Sequence, residues 1–325
     1  MELGYAISSE EHAPNDLVRY AQMAEEAGFT FAMISDHFHP WIDKQGQSPF
    51  VWSVIGAIAA TTQHIRLGTG VTSPIIRIHP AIIAQAAATS AAMMPGRFFL
   101  GLGAGEALNE HITGQHWPIA SVRQAMLEEA VDIIRRLWQG DELNYQGKFF
   151  TVENARIYTL PKDPVPVYIA AAGKKSAELA GKIGDGFITT QPDVELVKQF
   201  EESGGKGKPE IGQLTVCWAE TEEKALDIVY NYWPTMGLPD ALHSDLPTPD
   251  HFQAAAKLVK KEDIKGKIAL GPDPKKHIQQ IQNYADQGIE QVYIHQIGPD
   301  QEGFFRFYQQ EILPEIQKIR LGQAI

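Results

Sequence analysis

Cysteine is nearly absent from this chain of 325 residues, which contains Cys217 alone. A single cysteine excludes a disulfide within the chain and any cysteine-based metal cluster, as is usual for proteins of a reducing cytoplasm. Cys217 stands in the apolar, strand-like run LTVCWA, where a free cysteine is usually a buried and inert thiol. The composition therefore predicts a cytoplasmic protein without covalent crosslinks.

Long apolar runs and an excess of basic residues are also missing. The longest apolar run, around residues 54–60, is far shorter than the ~18 residues that a membrane span needs. The N-terminus has no basic segment followed by an apolar core, so we expect no signal peptide. Lys and Arg number 28 against 40 Asp and Glu, and the formal net charge of −12 opposes binding to nucleic acid or anionic membranes. We therefore expect neither nucleic acid nor a membrane as a partner.

Short apolar strands alternate with amphipathic helical stretches, the pattern of parallel α/β proteins. In residues 14–28, for example, Leu17, Tyr20 and Ala24 recur at helical spacing between an initial Pro14 and a final Gly28. Eight such strand–helix units favour a closed (β/α)8 TIM barrel over an open sheet. The eight strands are predicted at 3–8, 31–36, 66–73, 98–105, 165–171, 186–190, 211–219 and 291–297.

One barrel domain is expected to span residues 1–325, because α/β barrels routinely exceed ~250 residues as a single unit. Two segments interrupt the repeat. Residues 143–160 are typical of a hairpin with a Gln-Gly turn. Residues from 231 to about 265, rich in Pro, Asp and His at their start, predict an excursion between strands 7 and 8.

Chemistry in such a barrel sits where the strands end, because the loops there converge on one mouth. The tips of strands 1, 2 and 4 bring two acids, a histidine and an indole to that mouth: Glu10, His37, Trp41 and Glu106. An isolated histidine is more often structural than catalytic. His37, however, directly follows an apolar strand in a Ser-Asp-His turn, which makes it a candidate for acid–base chemistry.

Several segments of the sequence resemble the luciferase-like oxidoreductases. They are SDHFHPW at 35–41, LGTGV at 67–71, HPAIIAQAAAT at 79–89, PGRFFLGLGAGEALNE at 95–110, VPVYIAAAG at 165–173 and GDGF at 184–187. The resemblance covers nearly the whole chain. It is greatest to the coenzyme F420 (deazaflavin) branch, which contains glucose-6-phosphate dehydrogenases and secondary alcohol dehydrogenases.

This resemblance implies a role for each of the four residues at the mouth. His37 would be the general base that accepts a substrate hydroxyl proton, and Trp41 would pack over the substrate and stabilise the resulting imidazolium. Glu106 would donate a proton to the reduced ring nitrogen of the cofactor. Glu10 would be a second group that handles protons.

The resemblance also implies how the cofactor is held. Asp36 and Asn109 would contact it near its ring, and a non-prolyl cis peptide between Gly70 and Val71 would support the ring. Backbone amides at a helix start, helped by Lys174, would bind its phosphate. The full implied set is Asp36, Gly70, Val71, Ser73, Gly105, Asn109, Ala171, Ala172, Gly173 and Lys174.

Two departures from the family pattern bear on the ligands. The positions aligned with three basic residues that clamp the sugar phosphate read Asp193, Leu242 and Lys267, so glucose 6-phosphate is disfavoured and a small alcohol or carbonyl compound is expected. The segment Gly46-Gln47-Ser48 resembles relatives that use FMN. FMN is therefore an alternative to F420, whose longer anionic tail would need basic residues such as Lys174, Lys175 and Lys198.

Two other classes of function remain as alternatives. His37-Phe38-His39 is an H-x-H at a strand end, which would suit a metal-dependent hydrolase, although only His295 offers a further ligand and we expect no metal. A barrel that binds a cofactor without catalysis is the other. The resemblance also implies a homodimer through helices around 50–62 and 81–94, and the second segment is unusually small and apolar for an outer helix.

Overall fold

The computed structural model describes residues 1–320, and its centre is a closed barrel of eight parallel strands. Each strand pairs with the next around the ring, and pairings of the sixth strand with the seventh and of the eighth with the first close it. All eight predicted strands are present, and the TIM-barrel prediction is confirmed. The barrel strands are β1 Glu2–Ile7, β2 Phe31–Ile34, β3 Arg66–Thr69, β4 Phe98–Leu102, β7 Val167–Ala170, β8 Gly186–Thr189, β9 Glu210–Cys217 and β11 Gln291–Gln296.

Helices surround the barrel, and the first shows how the sequence specifies them. It begins with Pro14 in its first turn and ends before Gly28, whose φ of 102° lies in the left-handed region that favours glycine. The helices are α1 Pro14–Ala27, α2 Val51–Thr61, α3 Pro80–Met93, α4 Ala107–Glu110, α5 Ala120–Leu137, α6 Lys174–Ile183, α7 Val194–Phe200, α8 Glu222–Tyr232, α9 Asp240–Asp245, α10 Pro249–Ala256, α11 Lys261–Ile264, α12 Pro274–Asp286, α13 Gln301–Phe307 and α14 Leu313–Arg320. No helix of residues 1–320 combines the length and apolarity needed to cross a membrane.

Aromatic side chains fill the interior of the barrel toward the N-terminal ends of the strands. Phe31, Phe99, Tyr168 and Tyr293 belong to one buried cluster inside the ring of strands. Glycines on the strands make room for them: a Cβ on Gly68 would lie 2.0 Å from the ring of Phe99. Because this end is packed, space for a ligand remains only toward the C-terminal ends of the strands.

A two-stranded hairpin lies within the predicted segment 143–160. Strands β5 Leu143–Gln146 and β6 Thr151–Ala155 pair antiparallel outside the barrel. The carboxylate of Glu129 on α5 accepts hydrogen bonds from the backbone N–H groups of Lys148, Phe149 and Phe150, which fixes the turn against the helix. Buried Phe150 and Val152 join the main apolar core.

The excursion between the seventh and eighth barrel strands is also present. After α8 it runs through a 3-10 turn, Pro234–Gly237, and helices α9 to α11. Its short strand β10 Ala269–Leu270 pairs with the end of β9. The excursion forms an apolar cluster with Trp41, whose ring lies 5.1 Å from that of Phe252, so it covers the barrel mouth. The expectation of one domain over 1–325 stays a prediction, and residues 321–325 lie outside the described part.

Candidate active site

A cavity of about 520 Å³ opens at the C-terminal end of the barrel, within the range of small-molecule sites. All eight barrel strands contribute to its wall, through residues of the strands themselves or of the loops that follow. The four residues expected at the mouth, Glu10, His37, Trp41 and Glu106, all line it. Glu10 and Glu106, which are 96 positions apart in the chain, thus line the same cavity, as the parallel topology requires.

Glu10 and His37 form a carboxylate–imidazole pair on this wall. The distance from Glu10 Oε1 to His37 Nε2 is 3.3 Å, and the Glu10 side chain is 3% exposed. The other carboxylate oxygen accepts hydrogen bonds from the hydroxyls of Ser35 at 2.6 Å and Ser8 at 3.0 Å. Because both oxygens have partners, the carboxylate is fixed in a position that orients the imidazole.

Neighbouring groups hold the loop that carries His37. The hydroxyl of Ser48 donates to the backbone oxygen of His37 at 2.8 Å, and the backbone N–H of Gln47 donates to the carbonyl of Glu10 at 3.1 Å. None of Gly46, Gln47 and Ser48 lines the cavity. The segment that resembled FMN-dependent relatives therefore supports the acid–base pair from behind.

Trp41 lies between His37 and the excursion. Its ring centroid is 5.1 Å from that of His37 and 5.3 Å from that of His243 on α9. The side-chain oxygen of Gln45 accepts hydrogen bonds from the backbone N–H groups of Trp41 and Ile42, at 2.8 and 3.3 Å. The indole is thereby held as a roof over the imidazole.

Asn109 lies behind the cavity wall and connects its two sides. Its side-chain oxygen accepts from the backbone N–H groups of Phe38 at 2.9 Å and His39 at 3.2 Å. Its side-chain nitrogen donates to Glu106 Oε2 at 3.3 Å. One buried amide therefore sets the position of the His37 loop and of the Glu106 carboxylate together.

Asp36 belongs to a buried ionic network outside the cavity wall. Its two carboxylate oxygens accept from Thr72 and from Arg77, both at 2.7 Å. The backbone N–H of Arg77 donates to Glu110 at 2.8 Å. Burial, with the charges of Glu106 and Asp36, raises the pKa of Glu110 to about 7 although Arg77 opposes the shift. This network supports the loops that carry Asp36 and Glu106.

One wall of the cavity presents little except backbone. The Gly70–Val71 peptide bond is cis, as expected. A Cβ on Gly103 would lie 2.7 Å from Val71, and Gly105, with a φ of +70°, would place one 2.7 Å from the hydroxyl of Ser73. Beside them, on and after the neighbouring strand β7, are the small residues Ala170, Ala171 and Ala172. A flat ring system fits such a wall, because its residues are glycines, alanines and one valine.

The start of α6 continues from this wall and offers donors for an anion. Its N-cap, Gly173, is followed by a helix of ten residues, whose first backbone N–H groups have no helical partner. A Cβ on Gly173 would have no atom within 4 Å, so the space beside it is open. Lys174 is exposed and lies 3.8 Å from Glu195. A flat ring with a phosphorylated tail therefore fits the donors present.

The structure thus divides the implied cofactor set in two. Six members lie at the wall or at the helix start: Gly70, Val71, Gly105, Ala171 and Ala172 line the cavity, and Gly173 caps the adjoining helix. Asp36, Ser73 and Asn109 lie behind the wall, and Lys174 lies outside it. Their contact with a cofactor stays a prediction.

Among the described residues, no lysine or arginine lines the cavity. Glu10, Glu106 and Asp240 are its acids. Asp193 caps α7 instead, and Leu242 packs in the apolar cluster of the excursion. Neither these two nor Lys267 lines the cavity.

Several cavity residues were not identified from the sequence. Trp233, Asp240, His243 and Ser244 come from the excursion, where sequence periodicity carries no signal. His295, considered only as a metal ligand, lies on the inner face of β11 two residues after Tyr293, so strand alternation would have found it.

His37 and His39, the H-x-H motif in the loop after β2, do not form a metal site together. His37 faces Glu10, whereas His39 bonds the backbone carbonyl of Leu108 at 2.9 Å. Among residues 1–320, no group of three or more His, Cys, Asp or Glu side chains could hold a metal ion. Cys217 is buried, and burial raises the pKa of its thiol, in agreement with the expected inert role.

Comparison with known proteins places this geometry in context. The profile of the family described as luciferase-like monooxygenase matches residues 1–291. The F420-dependent glucose-6-phosphate dehydrogenase of Microbacterium testaceum (strain StLB037) is 35% identical over 330 residues, 98% of each chain. An F420-dependent secondary alcohol dehydrogenase, solved in complex with an F420-acetone adduct, superposes with a TM-score of 0.89 at 31% identity, over 96% of this chain and 98% of that one.

A more distant structure shares the fold alone. It is the oxygenating constituent of 3,6-diketocamphane monooxygenase from Pseudomonas putida, in complex with FMN. Its TM-score is 0.70 at 16% identity, over 97% of this chain and 98% of that one.

Proposed function

The chain belongs to the luciferase-like monooxygenase family, and from this premise we propose that it is a coenzyme F420-dependent oxidoreductase acting on a small, uncharged alcohol or carbonyl compound. The observation that carries the proposal is the Glu10–His37 pair, which faces the same cavity as Glu106 and the flat backbone wall. When bound, F420 supplies a two-electron carrier that accepts or returns a hydride.

In the proposed oxidation of an alcohol, His37 is the general base. As the alcohol loses a hydride from its carbinol carbon, Nε2 of His37 accepts the hydroxyl proton, and the C–O bond becomes a carbonyl. Glu10, 3.3 Å away, stabilises the imidazolium that forms. In the reverse direction the imidazolium returns its proton to the nascent alkoxide oxygen. The two electrons leave with the hydride, for which F420 is the acceptor, and the hydroxyl proton leaves through His37.

Glu106 and Trp41 complete the site in this proposal. Glu106, oriented by Asn109, would donate a proton to the reduced cofactor. Trp41 and the excursion exclude water above the imidazole, which strengthens its interaction with Glu10. Gly70, Val71 and Gly105 would support the ring, and the backbone amides of Ala172 and of the start of α6 would bind the phosphorylated tail.

We propose an uncharged substrate because no lysine or arginine of the described residues lines the cavity, so an anionic group would have no cationic partner there. Charge-assisted hydrogen bonds contribute roughly 1.5–3 kcal/mol each, and a phosphate site that lacked them would lose most of its affinity. Asp193, Leu242 and Lys267 lie away from the cavity wall. Relatives named glucose-6-phosphate dehydrogenases share about a third of the sequence, so this substrate is the direct competitor to test.

F420 is preferred to FMN as the cofactor. The segment 46–48 supports His37 from behind the wall, so its resemblance to FMN-dependent relatives concerns the base and not the ring. The exposed lysines near the start of α6, Lys174 and Lys175, suit a long anionic tail, as does Lys198 on α7. The two relatives described above, at 35% and 31% identity, are both named as F420-dependent.

We also propose that the protein forms a homodimer through α2 and α3. Neither helix contains a charged residue. The outer face of α3 carries Ile82, Gln85, Ala86, Thr89 and Met93 at helical spacing, and Ile82 is 55% exposed. A surface helix without charge and with exposed apolar side chains is typical of a protein interface.

The test is a titration of the purified protein with F420 and, separately, with FMN, followed by ring fluorescence. We expect tight binding of F420, and then F420-dependent oxidation of propan-2-ol at a higher kcat/KM than that of glucose 6-phosphate. Tight binding of FMN alone would contradict the cofactor assignment. A higher kcat/KM for glucose 6-phosphate would contradict the substrate class.

A further inference from the structure

A second carboxylate–imidazole pair lies at the same cavity, on the other side of β1. Strand β1 is hydrogen-bonded to β2 on one side and to β11 on the other. Glu10 and Glu11 follow this strand consecutively. Glu10 turns toward His37 after β2, whereas Glu11 turns toward His295 on β11.

The Glu11–His295 pair is buried and fixed. Glu11 Oε2 lies 3.4 Å from His295 Nε2, with the two side chains 2% and 5% exposed. Its other oxygen accepts the backbone N–H of Gly298 at 3.1 Å. Burial alone would raise the pKa of Glu11, but the hydrogen bond with His295 and the nearby imidazoles of His295 and His12 bring it below its ordinary value. Glu11 is therefore a carboxylate at neutral pH and holds the N–H of Nε2.

This arrangement leaves the other ring nitrogen of His295 available to a ligand. Its Nδ1 has no hydrogen-bond partner among the described residues, and His295 lines the cavity. The wall beside it is polar, because Thr215 is the register partner of His295 and Gln213 that of Tyr293. The indole of Trp233 meets the imidazole edge-on at 4.8 Å and closes the other side.

We infer that His295, oriented by Glu11, binds a second oxygen of the substrate while His37 acts on the first. The substrate class is then a small uncharged polyol or hydroxycarbonyl compound. A monofunctional alcohol would leave a buried polar nitrogen without a partner, and sites built to bond a substrate hydroxyl reject analogues that lack it. This inference rests on the proposed function, since it assigns the second end of the same substrate.

A purely structural pair is the competing explanation, because Glu11 also connects the β1 loop to Gly298. The two explanations differ in what a substitution changes. Loss of a structural support impairs every substrate alike. Loss of a binding group raises KM only for substrates that have the second oxygen.

The experiment compares propan-2-ol with propane-1,2-diol, which differ by one hydroxyl, in F420 reduction by the complete protein. For the wild type we expect a KM about 10- to 100-fold lower for the diol. His295→Leu should remove this preference, because it should raise the KM for the diol at least about 10-fold more than the KM for propan-2-ol. His295→Asn, which keeps a polar atom near the position of Nδ1, should restore part of it. Equal losses for both alcohols, or no preference in the wild type, would overturn the inference.

A binding measurement separates this inference from the proposed function. Quenching of tryptophan fluorescence, to which Trp233 contributes, should show that propane-1,2-diol binds more tightly than propan-2-ol, and His295→Leu should abolish the difference. If neither alcohol is oxidised but this difference persists, the proposed function fails and the second binding group stands. If His295→Leu does not fold, Glu11→Gln, which keeps the acceptor for Gly298, should weaken the preference for the diol; an unchanged preference would contradict the inference.

Discussion

Asn109 donates a hydrogen bond of 3.3 Å to Glu106 while its side-chain oxygen holds the loop that carries His37. The two groups assigned to proton transfer are therefore positioned by one amide that does not line the cavity.

Replacement of this amide should impair catalysis more than folding. In Asn109→Ala, the N–H groups of Phe38 and His39 lose their acceptor, so the His37 loop should move by more than reaction geometry tolerates. We expect kcat with propan-2-ol to fall by at least about 10-fold. Asn109→Asp keeps the acceptor but loses the donor to Glu106. It should retain more activity than Asn109→Ala if the His37 loop matters most, and a kcat unchanged in both variants would contradict the positioning role.

Substitution of either member of the Glu10–His37 pair should lower kcat. His37→Ala should lower kcat by about 100- to 10,000-fold, the usual contribution of a positioned base. Glu10→Gln should lower kcat by a smaller factor, because the imidazole keeps a neutral partner but loses the charge that stabilises its protonated form.

F420 fluorescence titration provides the control for the pair. Cofactor affinity should stay within about threefold in both variants, since neither residue is assigned to cofactor binding. Glu178→Gln, which removes an exposed acid on α6, is the matched substitution and should leave kcat unchanged. Full activity in His37→Ala would refute the base assignment.

Glu110 should make folding stability depend on pH. Because its folded-state pKa is raised from 4.5 to about 7, the folded protein holds this proton more tightly than the unfolded chain does. The resulting stability is present below about pH 4.5 and is lost as the pH rises through about 7. Relative to Glu110→Gln, which stays neutral, the wild type should lose about 3 kcal/mol of unfolding free energy over this range.

Urea unfolding of both proteins at several pH values would measure that difference. Burial also raises the pKa of Glu210 to about 7, but Glu210 titrates in both proteins and its effect cancels. A difference in unfolding free energy that is constant with pH would contradict the assignment.

The proposed dimer should be sensitive to charge on α3. Ile82→Glu would place a carboxylate in the uncharged face, and we expect a monomer in sedimentation velocity at micromolar concentration, where the wild type is a dimer. Val194→Glu is the matched control, because Val194 on α7 is similarly exposed, at 50% against 55% for Ile82. Dissociation by both substitutions, or a monomeric wild type, would exclude this interface.

Most of the barrel and one side of the site could be predicted from the sequence. Strand alternation and helix punctuation are local, so the eight strands, α1 and the hairpin at 143–155 follow from nearby residues alone. The tips of parallel strands must converge, which predicts that Glu10, His37 and Glu106 share one mouth. The roof could not be predicted, because α9 to α11 are short and take their positions from contacts with Trp41 and one another.

Local order in the chain thus determined the closed barrel, its open end and the residue types at that end. Tertiary structure alone decided which partner each polar group would have. Glu10 and Glu11 are identical in type and adjacent in sequence, yet one orients His37 and the other His295. Asp36, expected at the cofactor, is held by Thr72 and Arg77. Whether a hydrogen bond or an ion pair forms depends on differences of a few tenths of an ångström in the distance between groups that lie far apart in the chain, and no local pattern encodes those differences.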